Sequence, residues 1–586
     1  MQKISLENSI SEIKRTGRGI KNLRSFKFKH LGPIFKLFGR KEKIWVISLL
    51  ALIIMDVFLL TTTFYTANTV KVPANGGSYS EGMVGEPRFI NPLLAQTQTD
   101  KDLTRLVFAG LYKYDNQGNI VPDLANGDFK LSDDQKQYTI SLKPNLKWHD
   151  GHSISADDVI FTIQTIQNPD YKSPVHALWN NITAEKIDNL TVKFSNKNVS
   201  APFVTNLTLG ILPKHIWQNV PPQNFYIAKY NLEPIGNGPY FVKEINKLPN
   251  GTVRSVLLES YSNYANGKAY IDDIVLKFYQ TNQDMISGLH TKEVDSIGFI
   301  PFDKKIFVDP KNTKLNILQI PVFQYQALFF NLSKNKALGS HAVREAMAKS
   351  IDRSTFIDDV YSGMAIPAYT PILPGQIGYD QSSSLKNSFD LDAANSILEK
   401  DGWKKDASGM RFKGKDALQF TITTNDFSLN VKSAENLKEQ WAKIGLNVGI
   451  NVVASAEFEK NHLRTRNFEG LLFAESSGYD PDPFIFWHSS QSNNPGVNLS
   501  QYKNLTIDKI IADARTTFNG STRSGFYKQF QDIFSYDLPA IILDQSVFVY
   551  EMRPDVSGIN IKVLANPEDR FYDVNHWYLN TGRDWK

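Results

Sequence analysis

Residues 44–65, IWVISLLALIIMDVFLLTTTFY, form a run of 22 residues with a single charge, Asp56. At about 1.5 Å of rise per residue, a helix of that length spans roughly 30 Å, the thickness of a bilayer's hydrocarbon core. The run therefore predicts a transmembrane helix. On its N-terminal side, residues 1–43 carry twelve Lys or Arg against Glu7, Glu12 and Glu42, which is 12 − 3 = +9. Positive charge flanking a span is retained on the cytoplasmic side, so the N-terminus is expected in the cytoplasm and everything after Tyr65 outside the cell membrane. Trp45 and Tyr65 suit the two interfaces. A cleaved signal peptide is the competing reading, but a 43-residue basic region and a 22-residue apolar run are both long for one, and no A-x-A site follows. Asp56 falls near the midplane, where a charge costs about 2.5–3.5 kcal/mol on insertion scales. It faces a partner helix, holds its proton, or is tolerated in a long helix. Residues 10–38 read either as an amphipathic helix on anionic lipid, with Phe26, Phe28, Phe35 and Phe38 among the cations, or as a basic tail.

The anchor changes the meaning of the net charge. The chain has 65 Lys and Arg against 60 Asp and Glu, a net +5, so residues after 43 sum to 5 − 9 = −4, and those after Tyr65, past Asp56, to −3. The body is mildly acidic, and no nucleic-acid partner is expected. The chain has no cysteine, which excludes disulfides, thiolate metal sites, cysteine nucleophiles and a lipid-modified N-terminal cysteine. A body of about 510 residues is large enough to be held by its core alone. After a linker over 66–76, alternating stretches at 137–148 and 190–196 predict strands. Ser155 and Asp158 form a capping box that opens a helix with Val159, Ile160, Ile163 and Ile166 on one face. Further amphipathic helices are expected over 342–351, 391–400 and 434–444.

The search for reaction chemistry is negative. There is no H-E-x-x-H and no G-x-S-x-G, and GMRFKGKD at 409–416 has the spacing of a phosphate loop but ends in Asp where a hydroxyl must reach magnesium. His149, Asp150 and His152, with Asp157 and Asp158 nearby, invite a metal reading. Asp150-Gly151 is better read as a tight turn, and the two later acids as first-turn residues stabilised by the helix dipole. No catalytic group, metal or cofactor is expected.

An ordered series of segments carries the functional information. Residues 108–163 contain GLYKY, GNIVPDLA, SDDQKQYT and WHDGHSISADDV. Then come PIGNGPYFV (234–242), NYANGKAYID (263–272), HAVREAMAKSIDR (341–353), FDLDAANSILEKDGW (389–403), AENLKEQWAKIGLNV (434–448) and LPAIIL (538–543). Together they resemble the family 5 solute-binding proteins of ATP-binding-cassette importers, the oligopeptide- and dipeptide-binding type, over about 77–580. Read without that resemblance, Gly236, Gly238 and Pro239 form a turn re-entering a sheet, and Arg344, Asp352 and Arg353 form structural ion pairs.

The resemblance implies an α/β, two-lobed periplasmic-binding-protein-like clamp with an inserted domain. Its expected parts are lobe I (77–112, 215–320 and 541–586), domain II (113–214) and lobe III (321–540). It is not an enzyme but the binding component of an importer. It would capture an oligopeptide or similar extended solute and deliver it to permease subunits driven by a separate ATPase. An extended peptide would be held by strand edges near 96–100, including Gln98 and Thr99, and near 473–482. Phe323, Gln324, Tyr325 and Trp179 are candidate cleft walls. Alignment on DPDP (480–483) puts Ser477 where peptide-binding members carry the Asp that receives the ligand's α-amino group. Either Asp480, Asp482 or Glu475 replaces it, or the ligand has no free amino end. DPDP is equally a rigid turn seating Phe484, Phe486 and Trp487. The alternatives are the same fold binding a metal chelate, haem or oligosaccharide, and an anchored hydrolase.

Overall fold

A computed structural model describes residues 38–298 and 315–586. The basic segment before Phe38, with the proposed amphipathic stretch from Ile10, lies outside the described residues. The chain divides into two compact units, one containing residues up to Val72 with Gly582–Lys586, the other Pro73–Thr581.

In the first unit a 29-residue helix, α1 (Arg40–Asn68), contains the whole apolar run; its mean hydropathy is 2.6 over the most apolar window, and none of its residues is buried. Glu42 accepts from the Gly39 N–H at 2.7 Å and closes the first turn. The hydroxyls of Thr61, Thr62 and Thr66 donate back to the carbonyls of Val57, Leu59 and Thr63, which leaves α1 with few polar demands on its surroundings. The expected linker is more ordered than its composition suggests. Residues 66–68 continue the helix, and Thr69–Ala74 is a strand. Arg583 locks this end, donating to the Thr69 hydroxyl at 2.7 Å and to the Thr66 carbonyl at 2.9 Å.

The second unit is built on one sheet of eleven strands. Ten form a continuous path: β1 (Ser78–Val84), β2 (Tyr240–Lys247), β3 (Val253–Ser260), β4 (Asp273–Tyr279), β5 (Ser296–Gly298), β6 (Asn316–Phe330), β7 (Gln419–Asn425), β8 (Asn447–Val453), β9 (Gly470–Ser476) and β10 (Ala540–Met552). Their spatial order is β8-β7-β9-β6-β10-β5-β1-β4-β3-β2. The long antiparallel pair β6 and β10 runs through both halves. Its ladder shifts register between Pro321 and Tyr325 and again between Gln326 and Ala327. At the first break β6 turns to another partner: Phe323 N–H donates to the Leu564 carbonyl and Leu564 N–H to that of Pro321. The cores divide there. Ile320 and Val322 pack with Tyr79, Trp148 and Tyr550, whereas Leu328 and Phe330 join Trp441 and Ile541, and Phe323 and Phe329 join Trp487 and Phe534. Trp148, Trp441, Trp487 and Trp577 are fully buried. At roughly 150–250 Å² each and 25 cal/mol/Å², each contributes on the order of 4–6 kcal/mol, which is how a chain without disulfides is held.

A separate four-stranded sheet, in the order Lys130–Leu131, Gln137–Ser141, Thr191–Asn196, Ile182–Lys186, packs under the helix Ala156–Gln167. That helix opens with the expected capping box and buries Val159, Ile163 and Ile166. The strand read over 137–148 ends at Ser141, before the Pro144-Asn145 turn. The other expected helices form as His341–Lys349, Leu391–Lys400 and Ser428–Ala442. Residues 409–416 sit in a small hairpin, Phe412 opposite Ala417 and Lys413 opposite Asp416.

Two glycines are fixed by close approach. A Cβ on Gly236 would lie 2.0 Å from the Val107 carbonyl oxygen, and one on Gly238 would lie 2.7 Å from that of Leu106. The turn packs this tightly because Asn237 and Gly238 both donate their N–H to Val107. Arg344 and Arg353 depart from the ion pairing expected of them. Arg344 donates to the carbonyls of Leu338, Asp537 and Leu538, and Arg353 to those of Ala368 and Ile542, while Asp352 caps the helix Arg353–Tyr361. Both arginines satisfy carbonyls that burial would otherwise strand.

Candidate functional site

A cavity of about 1060 Å³ lies within the second unit, bounded by residues from distant parts of the chain: Arg105, Trp179, Ser477, Tyr479, Asp482 and Tyr572 among them. Its volume is large for a drug-sized ligand and suits an extended one.

The segment after β9 forms one wall. β9 pairs with β6 from Gly470 through Ser476, but its ladder to β7 covers only Gly470 and Leu471. At Ser477 the chain turns, with the Ser477 N–H donating to the Phe323 carbonyl at 2.9 Å. Tyr479 then stacks on Tyr114, ring centroids 3.9 Å apart, and meets Phe323 edge-on at 5.7 Å. Tyr114 comes from the strand Tyr112–Tyr114, so this stack joins two segments more than 350 residues apart in sequence. A second aromatic contact, Tyr138 with Phe518 at 6.2 Å, joins the four-stranded sheet to the loop before Gly520–Asp537.

The carboxylates of this wall have different fates. Asp480 accepts from both terminal nitrogens of Arg523, at 2.5 and 2.8 Å. Glu475 is buried and accepts from the Tyr325 hydroxyl at 2.6 Å. Burial pushes its carboxyl up to about 8, with the Tyr325 bond and the Arg466 charge opposing. The shift favours the protonated form at neutral pH. Asp482 lines the cavity at 5% exposure, with one oxygen 3.4 Å from Arg515 and the other, Oδ1, buried without a hydrogen-bond partner. Burial holds its carboxyl up to about 6, and the Arg515 charge opposes. Its backbone has φ +24° between Pro481 and Pro483. A non-glycine residue held there costs about 1–3 kcal/mol and marks a position worth explaining by function.

The remaining expected positions fall as follows. Ser477 borders the cavity, but its hydroxyl donates to the Phe323 carbonyl at 3.2 Å and accepts from Gln376 at 2.9 Å. Phe323 and Tyr325 are buried behind the wall. Trp179 is buried at the cavity's edge against Phe203. The strand edge expected near 96–100 does not exist. Thr97 caps a helix, α2 (Gln98–Val107), by accepting from the Asp100 N–H, and Leu103, Leu106 and Val107 supply its buried face. Gln98 donates to Asp102 and Glu568, and Thr99 donates to the Glu86 carbonyl. The apolar spacing of 103, 106 and 107 was the available signal for the helix. Trp487 is in the core as DPDP suggested, while Phe484 and Phe486 are half-buried.

Sequence reasoning did not single out Arg105, Tyr479 or Tyr572. Arg105 lies over the Tyr572 ring, 4.0 Å from its centroid, and 3.5 Å from Asp569. No local pattern links residues this far apart in the chain. Nearby, Arg570 is sandwiched between Glu81 and Asp102, each at 2.7 Å and each almost wholly buried, fastening the C-terminal segment to β1 and α2.

Comparison with known proteins agrees with this architecture. The oligopeptide-binding protein AppA of Bacillus subtilis is 27% identical over 516 residues, covering 86% of this chain and 92% of that protein. Its structure in complex with a nonapeptide superposes with a TM-score of 0.68 at 26% identity, covering 87% of this chain and 100% of the other. NikZ from Campylobacter jejuni, solved with Ni(L-His), gives a TM-score of 0.67 at 26% identity, over 86% of this chain and 99% of the other. Residues 119–496 match the middle region of the bacterial extracellular solute-binding proteins, family 5. With the long sheet and the large cavity, that match assigns the chain: it belongs to the family 5 extracellular solute-binding proteins of ABC importers.

Proposed function

We propose that this protein is a membrane-tethered receptor that captures oligopeptides in the cavity beside the 476–482 wall and hands them to an importer permease. The observation that carries the ligand class is Asp482: a carboxylate bordering the cavity with one oxygen unpartnered. Of the three carboxylates of this wall, Asp480 is matched by Arg523 and Glu475 is buried on Tyr325, so Asp482, whose buried Oδ1 has no partner, is the one that would receive a ligand ammonium once the wall opens to it. A desolvated ammonium needs such a partner, since an unpaired one costs several kcal/mol. Backbone hydrogen bonds along β9 beyond Leu471 would hold the extended chain.

The lobe boundaries stated from sequence form part of the proposal, with the register break at 321–327 as the hinge. Ligand contacts on both sides would favour the closed arrangement, with the Tyr114–Tyr479 contact helping to hold it shut. Helix α1 would be an uncleaved anchor with the N-terminus inside. ATP would be hydrolysed by separate subunits.

The test uses the full chain in detergent micelles. Titration calorimetry with a peptide mixture, then mass spectrometry of what co-purifies, should show peptides of several residues bound in equimolar amount. If a metal chelate, haem or an oligosaccharide is recovered in place of peptide, the peptide assignment fails while the transport class stands. For the anchor, carbonate washing should leave the protein in membranes at its full molecular mass; release of a shortened chain would mean signal cleavage.

A further inference from the structure

The metal reading of residues 149–158 fails on those residues alone. His149 is turned inward, accepting from the Gly236 N–H at Nδ1 and bonding the Gly238 carbonyl through Nε2. Burial pushes its imidazole down to about 4. Asp157 pairs with Lys186, and Asp158 is spent on the Ser155 and Lys214 N–H groups.

Folding supplies a different third member. His215, on the short helix Lys214–Trp217, reaches the turn that carries Asp150 and His152. Its Nε2 is 2.7 Å from Asp150 Oδ2, and His152 Nδ1 is 3.1 Å from the same oxygen. The two imidazoles stack with centroids 4.2 Å apart, and one donor atom from each of the three residues lies within 4.8 Å of the others. In a tetrahedral zinc site with metal–ligand bonds near 2.0–2.1 Å, neighbouring donor atoms sit about 3.3 Å apart. Donor atoms that already lie within 4.8 Å of one another need to shift by at most about 1.5 Å to reach that spacing. Asp150 is oriented from behind, its Oδ1 accepting the His152 backbone N–H at 3.1 Å, a supporting contact of the kind that fixes a ligand's direction. His152 is 64% exposed at its side chain, so water can complete the coordination. None of the three lines the large cavity.

We propose that Asp150, His152 and His215 form a binding site for a late first-row divalent cation, with Zn2+ the ion that fits two imidazoles, one carboxylate and an open position. The ion would clip the turn after Trp148 to the helix at Lys214, two segments about 65 residues apart in sequence. It stands apart from the solute cavity and does not depend on what that cavity binds.

The experiment is titration of chelator-stripped full chain in detergent micelles with Zn2+, and separately with Co2+ followed by visible absorption. The expected results are one equivalent of Zn2+, an intense Co2+ band of low coordination number, and a melting temperature raised by Zn2+. His152→Ala, which removes an exposed side chain and leaves the core untouched, should weaken binding at least about tenfold and abolish the thermal shift. Asp150→Asn should weaken it similarly, and His290→Gln, a distant exposed histidine, should change nothing. Absence of stoichiometric Zn2+ binding overturns the proposal, as does binding that survives both His152→Ala and Asp150→Asn.

Discussion

Asp480 and Arg523 form a two-pronged ion pair, Oδ2 and Oδ1 against the two terminal nitrogens at 2.5 and 2.8 Å, with Arg523 also donating to the Ala514 carbonyl. The carboxylate next to the position where a ligand amino group is expected is thus already neutralised. Asp480→Asn is predicted to act on stability: stranding the buried Arg523 costs about 3 kcal/mol, read by chemical denaturation. Loss of peptide affinity with unchanged stability would contradict this assignment.

Asp482 carries the complementary expectation. Asp482→Asn should weaken binding of a free-amino peptide by at least about tenfold, or about 1.4 kcal/mol, and leave its N-acetylated counterpart nearly unchanged. Because burial holds this carboxyl up to about 6, affinity for the free-amino peptide should fall as pH drops from 7.5 to 5. Calorimetry of both peptides on both proteins closes the cycle. Equal losses for the two peptides would remove Asp482 as the amino anchor.

Tyr479 is predicted to set the balance between open and shut forms. Tyr479→Ala deletes the stack on Tyr114 and the edge contact with Phe323, together about 1–3 kcal/mol beyond buried area. The ligand-free protein should become measurably more extended in small-angle scattering and bind peptide more weakly. Identical scattering curves for variant and parent would show that the stack does not control closure.

Glu475 should leave a signature in the pH dependence of stability. The unfolded carboxyl ionises near 4.5, whereas burial keeps the folded one protonated up to about 8. Between those values the folded state binds more protons, so this group's contribution falls as pH rises, by a few kcal/mol at most, and levels off above about 8. Glu475→Gln keeps an acceptor for Tyr325 and removes the ionisation, so the variant should gain on the parent from pH 5 to 8. A constant difference in denaturation midpoint across that range would rule out the shift.

Arg570 serves two buried carboxylates. Arg570→Met strands Glu81 and Asp102, for which about 3–5 kcal/mol of destabilisation is expected. Burial holds Asp102 up to about 6 against the pull of Arg570; without that pull it takes its proton at higher pH, so the loss should shrink as pH falls from 8 and level off below about 6. A loss that is the same at pH 5 and pH 8 would count against the triad.

Much of this protein was legible before folding because the signals are local. The apolar run of 44–65 needs no partner to declare itself, and α1 contains it whole. The capping box at Ser155 and the helix at Leu391–Lys400 depend on contacts within a few residues. Short motifs in fixed order were enough to indicate the family. What sequence misjudged was decided by neighbours elsewhere in the chain. Gln98 and Thr99 were expected on a strand edge, but helix capping at Thr97 and the apolar face of α2 placed them in a first turn. Arg344 and Arg353 were expected to meet acids and instead meet carbonyls brought from β10 and its approach.

The sequence by itself determined that this chain has a membrane-length helix behind a +9 segment, no means of forming a disulfide, and the ordered motifs of a solute-binding body. Only the tertiary structure decided how three neighbouring carboxylates are partnered. Arg523 lies 43 residues beyond Asp480, and Tyr325 lies 150 residues before Glu475. A carboxylate's charge state depends on what is packed within a few ångströms and on how much water is excluded, and neither quantity exists until distant segments meet.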